Sequence, residues 1–288
     1  MTYLQTLVKG FKRHVPAQAK NKSFKEILGF LERSFDEILH SPSVLMQLNK
    51  GHIIDIQITH LFLNEFLAGR AQVYKIAREF GMHLHDTKLD IPVSVVPDIF
   101  RSYLFEFPLA FRGSSGERYT GAIVHLGKNV DGRKAIMMNS MEDKPDEGYP
   151  TTHFCLNLKT DGTISDSLKE FDATVKDKQR YMPDAMIHYV IKCILYVESG
   201  EPDLKKEGHL STSKKKRKVF SINELPYPVV LVGYSFHNRT YHVDQFKRSG
   251  HFRWQPYGEG RTKVKLIWID EQIINRKVTA NNEVSHGS

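Results

Sequence analysis

Residues 101–142, RSYLFEFPLAFRGSSGERYTGAIVHLGKNVDGRKAIMMNSME, decide the fold class. Aromatic and β-branched residues concentrate at Tyr103–Phe111, Tyr119–Leu126 and Lys134–Met138, and again further on at His153–Leu158. A pleated strand alternates its side chains with period two while a helix repeats every 3.6 residues, so these runs read as strands. Asp131-Gly132 separates two of them and Asp161-Gly162 follows the last. Such dipeptides accept positive φ in tight turns, which predicts antiparallel hairpins rather than strand–helix–strand crossovers.

Upstream the period lengthens to that of a helix. From Phe24 to Leu39 apolar residues fall at Phe24, Ile27, Leu28, Leu31, Phe35, Ile38 and Leu39, and Ser23 with Glu26 forms a capping box. Ser41-Pro42 is a stop. A second helical stretch is expected over Asp55 to Phe80, with Gly69 as a break and Gly81 as its C-terminal cap. Downstream, Pro183 to Val197 reads as a helix with Ile187, Val190, Ile191, Ile194 and Leu195 on its buried side, ended by Ser199-Gly200. The fold class expected is α+β, with N-terminal helices packed on a central antiparallel sheet and a basic, β-hairpin-like C-terminal segment. The implied organisation is a body over 1–200, a basic flexible loop over 201–228 and a basic aromatic segment over 229–288, or all three as one domain, with Val229–Phe236 and Lys263–Ile269 as strands.

At 288 residues and 40% hydrophobic content the chain can bury a substantial core, so extended disorder is excluded as its main state. No run approaches the roughly 18 apolar residues of a membrane span, and no secretory leader is visible, so a cytoplasmic, membrane-free protein is expected. Cys155 and Cys193 lie in apolar-patterned segments and are too few for a disulfide framework or a four-cysteine zinc site.

The net charge of +8 is unevenly placed. Asp203 to Lys277 holds 16 Lys and Arg against 7 Asp and Glu, leaving 25 against 26 in the remainder. A basic segment on a near-neutral body is the footprint of a polyanion partner, most often nucleic acid. Within it, Lys214, Lys215, Lys216, Arg217 and Lys218 form an unbroken cationic run. The stretch RSGHFRWQPYGEGRTKVKLIWI, residues 248–269, alternates cations with π surfaces: Arg248, His251, Phe252, Arg253, Trp254, Tyr257 and Arg261. Guanidinium forks match phosphate oxygens, and aromatic rings stack unpaired bases at about 1–3 kcal/mol each. The plainer reading is a hairpin with aromatics inward and arginines outward. Coincidence with the charge excess favours RNA contact.

The same string carries a family resemblance. Gly250-His251-Phe252-Arg253-Trp254-Gln255 through Gly258-Glu259-Gly260-Arg261, followed by Lys265-Leu266-Ile267-Trp268-Ile269, resembles the closing motif of a family of phage and mobile-element proteins. That family includes the type V anti-CRISPR protein that blocks production of the CRISPR effector nuclease. Two upstream segments follow in the same order: the apolar helix running into Glu201-Pro202-Asp203, and Pro97 to Phe107. Near Asn64–Tyr74, where members tend to carry Trp-Arg, this chain has Gly69-Arg70. The resemblance implies a cytoplasmic regulator in a bacterial host. Its α+β body would recognise a short or nascent peptide of its target at the ribosome, with loss of the target's message, while contact with RNA or the ribosome is the reading of the basic, aromatic C-terminus.

A nucleic-acid-processing enzyme, such as a small ribonuclease, is the competing reading. His237, His242 and His251 lie near cations, and imidazoles of opposite protonation state could serve as acid and base in RNA cleavage. His83-Leu84-His85-Asp86 could offer two imidazoles to a metal from an extended segment, but no third ligand is apparent, so a surface loop is expected and no metal or other cofactor. Motifs of zinc proteases, phosphate-binding loops, dinucleotide folds and serine hydrolases are absent from the sequence. The Lys214–Lys218 run would pass as a nuclear import signal, a reading the phage-like resemblance makes accidental. A DNA-binding role finds no recognition-helix signature.

Overall fold

The computed structural model describes residues 3–14, 16–87, 91–113, 116–142, 151–174, 184–199, 202–207, 227, 229–234, 245–248, 251–257, 263–269 and 272–275. In chain order these form α1 (Tyr3–His14), α2 (Pro16–Ala19), α3 (Phe24–Leu39), α4 (Pro42–Leu45), α5 (Lys50–Leu67), β1 (Gln72–Ile76), α6 (Arg78–Asp86), β2 (Arg101–Arg112), β3 (Arg118–Lys128), β4 (Lys134–Glu142) and β5 (Thr151–Asn157). There follow α7 (Ile164–Thr174), α8 (Asp184–Val197), β6 (Leu204–Glu207), β7 (Val229–Val232), β8 (Gln245–Arg248), β9 (His251–Tyr257), β10 (Lys263–Ile269) and β11 (Gln272–Asn275). The α+β class holds, with N-terminal helices laid on a mostly antiparallel seven-stranded sheet of order β5-β4-β3-β2-β1-β7-β6.

Local chemistry accounts for the elements read correctly. Ser23 Oγ accepts from the Glu26 N–H while the Glu26 carboxylate accepts from the Ser23 N–H, completing the capping box that starts α3. Gly132 sits at φ +77° in the turn between β3 and β4, where Asn129 Oδ1 accepts from the N–H groups of Asp131 and Arg133. Strands β2 to β5 then pair in antiparallel succession. Gly162 also has positive φ, but its turn leads into α7 rather than a hairpin: Asp166 accepts from the Thr163 N–H and hydroxyl at the start of the helix.

The expected helix over Asp55 to Phe80 is three elements. Gly69, at φ +75°, ends α5, and the N–H groups of Arg70 and Ala71 return to the Glu65 carbonyl. Gln72–Ile76 then enters the sheet as β1, parallel to β2 on one side and to β7 on the other. Two flanking strands satisfy both edges of its backbone, and this pairing outweighs the helical spacing of Val73 and Ile76. Gly81 is not a cap. It lies inside α6, where a Cβ would stand 2.5 Å from Pro108 and 2.8 Å from the Tyr189 hydroxyl. The cap of α6 comes from α8: buried Lys192 donates from Nζ to the carbonyls of Leu84, His85 and Thr87. His83, His85 and Asp86 therefore lie in the last turn of a helix rather than in an extended segment.

Helices cover both faces of the sheet, each over its own core. On one face Leu4, Leu7, Val8 and Phe11 of α1, Ile27 and Leu28 of α3 and Ile58 and Phe62 of α5 meet Val73, Leu104, Ile123 and Val229. On the other, α8 lies among Phe80, Tyr103, Phe105, Val124, Leu156 and Ile164. The alternation of Tyr103 and Leu104 to opposite cores is the period-two signal of the sequence made physical. Each fully buried Leu, Ile or Phe contributes about 1.5–3 kcal/mol. Leu204–Glu207, expected to lack regular structure, pairs with β7 as the outermost strand.

Candidate functional site

The C-terminal hairpin is fixed to the body by a junction of aromatic rings. β9 and β10 pair antiparallel, with Phe252 opposite Trp268, Arg253 opposite Ile267 and Trp254 opposite Leu266. Trp268 stands edge-on to Phe252, Phe80 and Tyr196, at centroid distances of 5.0, 5.7 and 5.7 Å. The Tyr196 hydroxyl accepts from the Asp203 N–H, and the Asp203 carbonyl accepts from the Gly233 N–H at the end of β7. Gly233 has φ +72°, and a Cβ there would come within 2.3 Å of the Phe80 ring. Two residues beyond Tyr196, Glu198 accepts from Arg101 at 2.7 Å and from the Tyr103 hydroxyl at 2.9 Å. Burial, with the neighbouring Glu198 carboxylate, drives the Tyr103 hydroxyl well above its ordinary pKa, so it stays protonated as the donor. The three sequence segments carrying the family resemblance, around 97–107, 196–203 and 250–269, thus converge at the end of α8.

This geometry divides the expected nucleic-acid residues. Arg253 and Gln255 are exposed on β9 while Phe252 between the hairpin and the body is buried. Arg248 stands on β8 opposite Gln272, and His251, Trp254 and Tyr257 have strand positions on β9 opposite Ile269, Leu266 and Lys263. Lys214–Lys218, Arg261, His237 and His242 lie outside the described residues. Among the described residues no group of three or more His, Cys, Asp or Glu could hold a metal ion.

A buried Ser–His pair was not singled out in the sequence. Ser102 Oγ and His125 Nδ1 are 2.9 Å apart across β2 and β3, and the Ser102 N–H donates to Glu65 at 2.6 Å. Burial lowers the His125 pKa, with Glu65 opposing, so the ring is neutral at pH 7. Ser102 is 1% exposed, leaving no room for a substrate, and the cluster ties α5 to the sheet.

One feature among the described residues with the geometry of a binding site is an apolar groove of about 330 Å³ on the α3/α5 face. Phe24 and Leu28 of α3, Phe66 and Leu67 of α5, Tyr227 and Val230 form its walls, and Lys25 and Lys206 also line it. Tyr227 locks the wall together, 5.4 Å from the Phe24 ring and 5.9 Å edge-on from Phe66. The groove opens beside β6, the outer edge of the sheet. Sequence reading places Phe24 and Leu28 in the apolar stripe of a helix, and no local signal marks the groove, because its lining comes from points more than 200 residues apart.

No helix among the described residues is long and apolar enough to cross a membrane. Among curated proteins none matches this chain. The crystal structure of AcrVA2 matches with a TM-score of 0.46 and 13% identity, covering 94% of this chain and 94% of that one. The model of the anti-CRISPR type V subtype A2 family matches residues 80–276, a span that takes in all three segments converging on the end of α8. By that match over more than half its length, the chain belongs to the anti-CRISPR type V subtype A2 family.

Proposed function

We propose that this protein is a mobile-element-encoded regulator, acting in the cytoplasm of a bacterial host, that lowers expression of its target. It captures a short or nascent peptide of the target in the groove between α3 and α5 and contacts RNA or the ribosome through its basic C-terminal residues. The contact set is Lys214, Lys215, Lys216, Arg217, Lys218, Arg248, His251, Arg253, Trp254, Tyr257 and Arg261. The observation that carries the peptide part is the groove itself. Its apolar walls suit one or two large side chains of an extended segment. Lys25 and Lys206 suit an acidic neighbour of that anchor. Among the described residues β6 is the outermost strand, and its outer edge would offer backbone groups to a peptide lying alongside. Family membership supports the anti-CRISPR direction, and exposed Arg253 supports the RNA part.

The test is expression in bacteria carrying a type V CRISPR effector, with effector protein and message quantified together. The expected result is a fall in both, weakened by Lys206→Glu, which reverses a groove charge on an exposed strand. Unchanged protein and message in the presence of the folded regulator would refute the proposal. Incubating the purified protein alone with labelled RNA separates it from the ribonuclease reading: cleavage lost on His251→Ala or His242→Ala would replace it.

A further inference from the structure

The near-zero balance of the chain outside its C-terminal quarter conceals a segregation. Residues 1–25 contain Lys9, Lys12, Arg13, Lys20, Lys22 and Lys25 and not one Asp or Glu. Outside them and the C-terminal quarter, 19 cations face 26 carboxylates. The structure leaves all six cations in solvent. Helix α1 spends its apolar stripe on the core, with Leu4, Leu7, Val8 and Phe11 at most 7% exposed and the Phe11 ring 5.1 Å from Phe30 of α3. The helical spacing of Lys9, Lys12 and Arg13 makes them neighbours on the opposite side, and all three are exposed. Lys20, Lys22 and Lys25, exposed as well, follow in the turn and first helical turn of α3.

None of the six has an ion-pair partner among the described residues. Elsewhere on the body Arg101 pairs with Glu198, Lys128 with Asp98, Arg133 with Asp131 and Lys169 with Asp166. The first carboxylate of the chain, Glu26, is held by the Ser23 N–H of the capping box. Glu26 offsets the charge of Lys22 in part; cations at this density otherwise repel one another and raise the energy of the free protein, a cost that a bound polyanion removes.

We propose that this N-terminal face is a second site for RNA, binding the phosphate backbone without base selection. It is separate from the C-terminal hairpin and joined at Lys25 to the rim of the groove. A basic amphipathic helix can also lie on an anionic membrane, but it does so by inserting its apolar face. Here that face is buried in the protein, so only the cations are offered, and these match phosphates. The inference rests on the reading that the protein contacts RNA and adds where the strand runs: past the mouth of the peptide groove.

The test measures binding of fluorescent 30-nucleotide poly(U) to the full chain across a salt series. Each phosphate contact on a single strand contributes about 0.7 to the slope of log affinity against log salt. Lys9→Gln/Lys12→Gln/Arg13→Gln should therefore lower the slope by about 2, and Lys20→Gln/Lys22→Gln/Lys25→Gln by a similar amount, with melting temperatures unchanged because all six side chains are exposed. Wild-type affinity and slope in both triple variants, with a loss on Arg253→Gln, would overturn the N-terminal site and leave the C-terminal one standing. No poly(U) binding by the wild type would overturn both. Binding to phosphatidylserine vesicles in preference to poly(U), abolished by the triple variants, would assign the face to a membrane instead and overturn the proposal.

Discussion

Replacing Trp268 by Ala tests whether the C-terminal hairpin is part of the folded body or an appendage. A fully buried Trp→Ala change costs about 3–5 kcal/mol. Trp268 keeps partial exposure, so the loss of burial alone is smaller, but it also surrenders three edge-to-face contacts, to Phe80, Tyr196 and Phe252. At about 0.5–1.5 kcal/mol for each aromatic pair beyond area burial, the three pairs alone amount to about 1.5–4.5 kcal/mol. Trp268→Phe retains a ring and should recover more than half of this. Because the chain has two tryptophans, Trp254 and Trp268, fluorescence would change for trivial reasons, and urea unfolding followed by far-ultraviolet circular dichroism is the suitable assay. A loss below about 1 kcal/mol for Trp268→Ala, or an equal loss for the Phe variant, would refute the packed junction.

Arg253→Gln, at an exposed strand position, should leave urea stability within about 0.5 kcal/mol of wild type while weakening poly(U) binding several-fold; unchanged binding would remove Arg253 from the RNA surface. Gly132→Val forces a β-branched residue to φ +77° and should cost on the order of 1 kcal/mol or more, read from the thermal midpoint, and a neutral result would contradict the turn geometry. Replacing all five cations of Lys214–Lys218 by Ser should flatten the salt dependence of RNA binding without shifting the melting temperature, and a large drop in melting temperature would make the segment structural. Burial depresses the pKa of His125, so as pH falls the unfolded chain takes up this proton first. Stability is therefore lost from about pH 6.5 downward to the folded-state pKa, by at most about 1.4 kcal/mol per pH unit for this group, and His125→Gln should flatten the decline. Identical slopes in thermal melts between pH 7 and pH 5 would exclude His125 as a source of that decline.

What the sequence disclosed was local. The capping box of Ser23 and Glu26, the turn at Asp131-Gly132 and the apolar face of α8 are each written within a few residues, and each appears where expected. β1 was hidden because QVYKI carries apolar residues at a spacing that suits either period, and its strand state comes from partners near residues 103 and 229. Gly81 misled for a similar reason: its small size serves Pro108 and Tyr189, not a helix end. The apolar groove was illegible because Phe24, Phe66 and Tyr227 meet only after the sheet has formed. The N-terminal cations were in plain view but disappeared when averaged with the acidic residues that follow them.

The place of β1 in the sheet also sets an order of events during synthesis. Strands β1 to β5 can pair once Asn157 has emerged, but β1 keeps one unpaired edge until Val229–Val232 arrives, 75 residues after Asn157 at its far end. At about 5–20 residues per second, that edge stays open for about 4–15 s on each translating ribosome. Tyr227 and Val230 arrive with the same late segment, so the groove is completed only when β7 docks. Molecules truncated before β7 therefore present an open edge on β1 and lack two walls of the groove, which makes them aggregation-prone, and completion of both waits on the arrival of Val229–Val232.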